Sequence, residues 1–185
     1  GYRKFRRGEP DRSGDPATAL VRVRVGEDSR AGFLISDRLV VTVGAGLTAD
    51  AVVTTGGGTR GVARIHRPEV PEHDVAVLRL AEPVGADPPP LGYPGHVRVG
   101  DQVRTPGGGT GLIERFGTAA GARLFHVGPQ GPPAPPVEVG SPVLDELGEV
   151  VGIVVSTGAG GASVLGIDAL GSLLSEAGWD RSPRR

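Results

Sequence analysis

The sequence predicts an all-β fold, two antiparallel β-barrels in series closed by one C-terminal α-helix, and three observations predict it. Short β-branched runs recur at close, regular spacing between turn signals, which is the pattern of a barrel or sandwich and not of alternating strands and helices. Thirty-two glycines and 17 prolines in 185 residues supply the turns that so many short strands need. A proline-rich stretch, residues 81–95 (AEPVGADPPPLGYPG), divides the strand-rich runs into two sets. Proline has no N–H to give to a ladder, so this stretch is expected to cross the surface extended. A chain of this length fits one domain, or two small barrels sharing one core.

Residues 1–16 (GYRKFRRGEPDRSGDP) are charged, turn-rich and without periodicity, and are expected to form a loose arm. Arg3, Lys4, Arg6 and Arg7 beside Tyr2 and Phe5 can touch phosphate or acidic protein; a solvated tail is the plainer reading. Residues 19–25 alternate apolar and charged, a half-buried strand with Arg22 and Arg24 outward. Residues 31–36 and 39–43 make a hairpin around Asp37 and Arg38, followed by strands over 51–54, 62–66 and 75–80. Beyond the connection the pattern repeats over 102–104, 111–116 and 123–127. Then comes a tight turn at Gly140, Ser141 and Pro142, a short strand at Val143 and Leu144, an acidic turn, and a buried β-branched strand over 150–155. A last strand spans 163–167. Ile167, Leu170, Leu173, Leu174 and Ala177 recur at helical spacing, with Asp168 as cap and Gly178 as stop. The expected divisions are an arm (1–16), a first barrel (17–84), a connection (85–98), a second barrel (99–166), a helix (167–178) and a tail (181–185).

Composition narrows the function. The net charge of −1 creates no field that draws nucleic acid or an anionic membrane, so neither is expected as a partner. No apolar run approaches the roughly 18 residues of a spanning helix. Cysteine is absent, which excludes disulfides, a thiol nucleophile and thiolate metal sites. A chain that begins at Gly1 and contains no methionine is expected to be a processed or excised piece, and a cytoplasmic location is expected from the missing cysteines and the lack of a visible signal. Residues 44–49 (GAGLTA) and 56–61 (GGGTRG) satisfy dinucleotide-type glycine spacings, but each leads into a strand where that fingerprint needs a helix, so both read as turns. His66, Glu69, Glu72, His73 and Asp74 cluster within nine residues, a weak metal pattern that reads better as polar side chains facing solvent before a strand. No cofactor and no metal are expected.

Residues 137–158 (VEVGSPVLDELGEVVGIVVSTG) resemble the segment that closes the active site of trypsin-like and HtrA-like serine proteases, Gly-Asp/Asn-Ser-Gly-Gly/Ser-Pro-Leu/Val followed by a hairpin. Gly140, Ser141, Pro142 and Val143 match its second half, and the position of the nucleophilic serine falls on Val139. AGFLISDRLVVTVGAGL resembles the family's GFLIS…VVTAAHVV, with Thr42 in the threonine position and Ala45 in that of the histidine. HDVAVLRL is similar to HDLALLRL and puts the triad aspartate at Asp74. GIVVSTG resembles GIVSWG, with Ser156 matching the serine that bonds that aspartate. GTGLIERFG and GASVLGIDALGSLL complete six matches in the family's order, from about residue 19 to 178. The resemblance implies two six-stranded antiparallel barrels with a C-terminal helix and a cleft between the barrels.

The resemblance also implies a machinery and shows what is missing from it. Acyl transfer of this kind needs a hydroxyl, an imidazole to take its proton, a carboxylate to orient the imidazole, and two N–H groups for the oxyanion. Only Asp74 is of the required type. Val137 stands where the family has an oxyanion glycine, and it follows Pro135 and Pro136, so unusual dihedrals are resisted there. Ser156, Thr157 and Gly158 keep the strand edge that takes an extended peptide, and the pocket floor falls near residues 132–136. Asp74 is then expected as a buried acid bonded to the backbone near 42–45 and to Ser156. The expected function is noncatalytic binding of protein or extended peptide, or a regulatory role, in a larger protein. One lysine against nineteen arginines points loosely to a bacterial one. The alternative is a serine-type endopeptidase with rearranged or altered catalytic residues, drawing on Ser141 and one of His66, His73, His96 and His126.

Overall fold

A computed structural model describes residues 16–106, 109–130 and 137–179. The expected arm (apart from Pro16), the tail and the pocket floor at 132–136 lie outside the described residues. Pro16–Ala19 forms a single helical turn, α1, leading into the first barrel. That barrel consists of β1 (Leu20–Val25), β2 (Asp28–Leu34), β3 (Leu39–Val43), β4 (Val52–Thr55), β5 (Gly58–His66) and β6 (Val75–Leu80), closed in the order β1-β2-β3-β6-β5-β4. The second consists of β7 (Gln102–Arg104), β8 (Thr110–Ala119), β9 (Ala122–Pro129), β10 (Pro142–Leu144), β11 (Val150–Gly158) and β12 (Gly161–Gly166), closed as β10-β11-β12-β9-β8-β7. Two closed six-stranded antiparallel barrels and a short terminal helix are the all-β architecture expected from the sequence.

The strand patterns follow from where each face goes. In β1, Val21 and Val23 point inward while Arg22 and Arg24 are exposed, so the strand alternates. β3 and β6 are buried on both faces and read as continuous apolar runs. Val40 and Leu78 fill the first barrel. Val41 and Val77 face the other way, into a core that joins them to Leu144, Ile153 and Leu165 of the second barrel and to Leu170, Leu173 and Leu174. Neither barrel buries its outward face without the other.

Two expectations need correction. The terminal segment is not one helix over 167–178. A 3₁₀ turn, Ile167–Leu170, precedes a six-residue α-helix, α2 (Gly171–Glu176), and Leu170 leaves helical geometry between them at φ −97 and ψ 3. Gly171 at the junction lowers helix propensity, and the turn is capped at Gly166 without any side-chain bond, so Asp168 is not the cap. The apolar face is nonetheless as spaced: Ile167, Leu170, Leu173, Leu174 and Ala177 are all buried. Arg79 donates to the Ala177 carbonyl, and the Trp179 indole N–H donates to the Ile35 carbonyl at 3.3 Å, pinning the end to the first barrel. The proline-rich connection, in turn, does more than cross the surface. Gly92 N–H donates to the Val150 carbonyl at 2.7 Å, Val150 N–H donates to that of Pro90 at 2.9 Å, and Leu91 is buried in the shared core.

Candidate functional site

Gly44, beside Ala45, meets Asp74 where β3 ends and β6 begins. Val43 pairs with Val75, and the ladder continues one step as Gly44 N–H donates to the Asp74 carbonyl at 3.0 Å. Two arginines then fix the loop that carries Ala45. The buried Arg30 guanidinium donates to the carbonyls of Val43, at 3.1 Å, and Ala45, and pairs with Asp28 at 2.8 Å. Arg67 donates to the carbonyls of Gly44 at 3.1 Å and Leu47 at 2.7 Å. Sequence reasoning missed this clamp, although a signal existed: Arg30 shares a ladder rung with Val23, whose side chain is wholly inside the barrel. Paired residues point to one side, so Arg30 had to turn inward too.

Asp74 differs from its expected state. It is exposed, and among the described residues its carboxylate makes no hydrogen bond and does not reach Ser156. The cause is local. The 3₁₀ turn Pro71–His73 ends at Asp74, whose N–H is committed to the Pro71 carbonyl, and the preceding His73 takes the buried place. His73 Nε2 lies 2.9 Å from the Ala119 carbonyl on the β8–β9 hairpin, a polar link from the first barrel to the second.

The turn 137–141 lies against the first barrel. Ser141 N–H donates to the Glu138 carbonyl at 3.1 Å, and Gly140 N–H to the Val154 carbonyl at 2.8 Å. Gly140 has φ +96, and a Cβ there would penetrate the Ala31 carbonyl oxygen, so only glycine fits. That same carbonyl accepts the Thr42 hydroxyl at 2.8 Å. Val139 is half-buried against the shared core, and Val137 packs on the core of the second barrel. Glu138 accepts from both terminal nitrogens of the Arg22 guanidinium, Nη1 on Oε1 at 2.7 Å and Nη2 on Oε2 at 2.5 Å. These charge-assisted bonds hold the Glu138 carboxyl below, and the Arg22 guanidinium above, their ordinary pKa ranges. Gly140, next to Val139, thus meets through the Ala31 carbonyl the β3 residue Thr42, three positions ahead of Ala45.

Ser156, Thr157 and Gly158 are exposed and pair with β12 on one side. β10 reaches along β11 only to Ile153, so among the described residues the other edge of 156–158 is open. Beside it lies a cavity of about 370 Å³, walled by Val103, Val127, Val137, Val143, Val154 and Val164, with Thr157, Gly158 and the charged Arg104 also in its lining. The histidines stand elsewhere. His126 Nε2 is 3.5 Å from Glu114, His96 lies against Tyr93, and His66 is buried with no partner for Nε2. Burial, with Arg64 and Arg79 nearby, pushes the His66 pKa down against a smaller opposing pull from Glu176. Ser141 is buried, and among the described residues no histidine bonds to it.

Chemically, the described residues offer an exposed carboxylate at Asp74, aliphatic side chains at 45 and 139, a strand edge uncovered among them and a mostly apolar cavity. Residues 30–153 match the family of the trypsin-like peptidase domain. Solved structures agree in fold. The M. tuberculosis Rv3671c protease in its active form is 17% identical, over 92% of this chain and 85% of that one, with a TM-score of 0.70. Its inactive form is 18% identical over 88% and 90%, with a TM-score of 0.67. Kallikrein-related peptidase 10 in complex with Zn²⁺ is 19% identical over 87% and 95%, with a TM-score of 0.69. No curated protein matches the chain.

Proposed function

We propose that this chain, which belongs to the trypsin-like peptidase domain family, acts as a noncatalytic member of it that binds an extended peptide or protein segment, as a module of a larger protein. One observation carries the reading: the positions matched to the family's histidine and serine, 45 and 139, bear a methyl and an isopropyl group. Neither takes a proton nor attacks a carbonyl. An enzyme of this type stripped of its triad keeps roughly 10³–10⁴ over water, and that remainder depends on the oxyanion donors and on binding. Here the residue ahead of the nucleophile position on the oxyanion side is Val137, whose side chain is engaged in the pocket wall. What the site retains is geometry for binding. An edge at 156–158 that no strand covers among the described residues takes a strand by main-chain hydrogen bonds, and the cavity beside it, walled by six valines with Arg104 also in its lining, takes an apolar side chain.

A serine-directed fluorophosphonate probe is expected not to label the protein. Stoichiometric labelling at Ser141 overturns the reading and restores a rearranged hydrolase. The double variant Ala45→His with Val139→Ser is expected to recover little peptidase turnover, because Asp74 points to solvent and Val137 does not supply the oxyanion turn. Robust turnover from that pair alone counts against this account.

A further inference from the structure

We infer that Arg22 of the first barrel is a positioning residue for the peptide pocket of the second, acting through Glu138 on the pocket wall at Val137; this rests on the peptide-binding reading above. The turn 137–141 is stapled to one rung of the first barrel at two points. Arg22 and Ala31 are direct ladder partners on β1 and β2. Glu138 grips the Arg22 side chain in a bidentate pair, while Gly140 lies against the Ala31 carbonyl. Val137, next to Glu138, lines the cavity. The sequence leading into it, 131–136, is GPPAPP, with four prolines that carry no N–H and no side chain able to form a hydrogen bond. Glu138 is therefore the first polar anchor after that stretch, and its ion pair bridges 116 positions of chain.

The pair is half-exposed, 46% for Arg22 and 44% for Glu138, so dissolved salt reaches it. The affinity of the pocket thereby depends on ionic strength through the turn, apart from any direct effect at Arg104, which also lines it.

The test measures amide hydrogen exchange over 137–141 in the full chain. Glu138→Gln is expected to speed exchange there by about two- to fivefold, the span of a half-exposed ion pair. The swap Arg22→Glu with Glu138→Arg is expected to restore protection, and exchange in β3 and β6 stays unchanged throughout. In the parent protein, raising salt from about 0.1 M to about 1 M, which shortens the screening length from about 10 Å to about 3 Å, reproduces the effect of Glu138→Gln. Equal exchange in the parent and Glu138→Gln, or a swap no better protected than the single variant, overturns the inference. Binding of a fluorophore-labelled, N-acetylated Ala-Ala-Leu amide is followed in parallel. If it binds the parent and weakens in Glu138→Gln but not in the swap, the coupling to the pocket stands. If it binds all three alike, the positioning role falls while the binding reading holds. If it binds none while exchange still responds, the peptide reading is what has failed, and the positioning claim that rests on it falls with it.

Discussion

His66 is a buried imidazole whose Nε2 meets no partner, on the β5 rung opposite Val77 and against the charges of Arg64, Arg79 and Glu176. Its folded pKa is depressed, so the folded state refuses a proton that the unfolded chain accepts at about pH 6.5. The stability it contributes is full above that pH and is lost as pH falls through the folded value. Glu138 is depressed too, yet its window opens lower, below the ordinary glutamate value of about 4.3. Urea titrations at descending pH should therefore show a decline starting near neutrality in the parent protein and a flatter profile in His66→Gln until the carboxylates titrate. Parallel profiles for the two would remove His66 from the account. At this scale the sequence was informative about identity and poor about surroundings. That positions 45 and 139 lack a base and a nucleophile is visible in the letters. That Asp74 faces solvent while His73 is buried is not, because a three-residue 3₁₀ turn decides it.

The loop after β3 shows how an element can be held by side chains that look superficial in a sequence. Arg30 and Arg67 together satisfy four carbonyls between Val43 and Leu47. Arg30→Met keeps the aliphatic stem and removes the donors, leaving the carbonyls of Val43 and Ala45 unpaired. The expected loss is about 1–3 kcal/mol in unfolding free energy, with faster amide exchange at Gly44 and Leu47; a change below about 0.5 kcal/mol sinks the clamp. Strands were legible because burial on one face gives alternation in β1, and burial on both gives the unbroken runs of β3 and β6. The terminal helix was legible as a face but not as an element: the spacing of Leu170, Leu173 and Leu174 persists across a junction at Gly171 where the helix changes type. The prolines at 81–95 point to a surface crossing, and Val84 and Leu91, apolar residues among them that are both buried, were the missed signs of docking.

The two barrels are one folding unit by the distribution of their apolar faces. The largest core cluster takes Phe33, Val41 and Val77 from one barrel, Leu144, Ile153 and Leu165 from the other, and Leu173 and Leu174 from the terminus. Leu174→Ala is expected to cost about 2–5 kcal/mol and to raise amide exchange in β6 and β11 together, in a single urea transition. Separate transitions for the two barrels would contradict a shared core. The guanidinium tethers have a consequence at the same scale. Loops in small domains are often secured by sulfur–sulfur bonds, whose survival depends on the surrounding redox poise. Here the cross-ties between strand and loop are arginine to carbonyl, in a chain with no sulfur at all. Thiol reductants have nothing to cut and peroxides have no sulfur to modify, so the shape of the barrel junction is indifferent to electron chemistry.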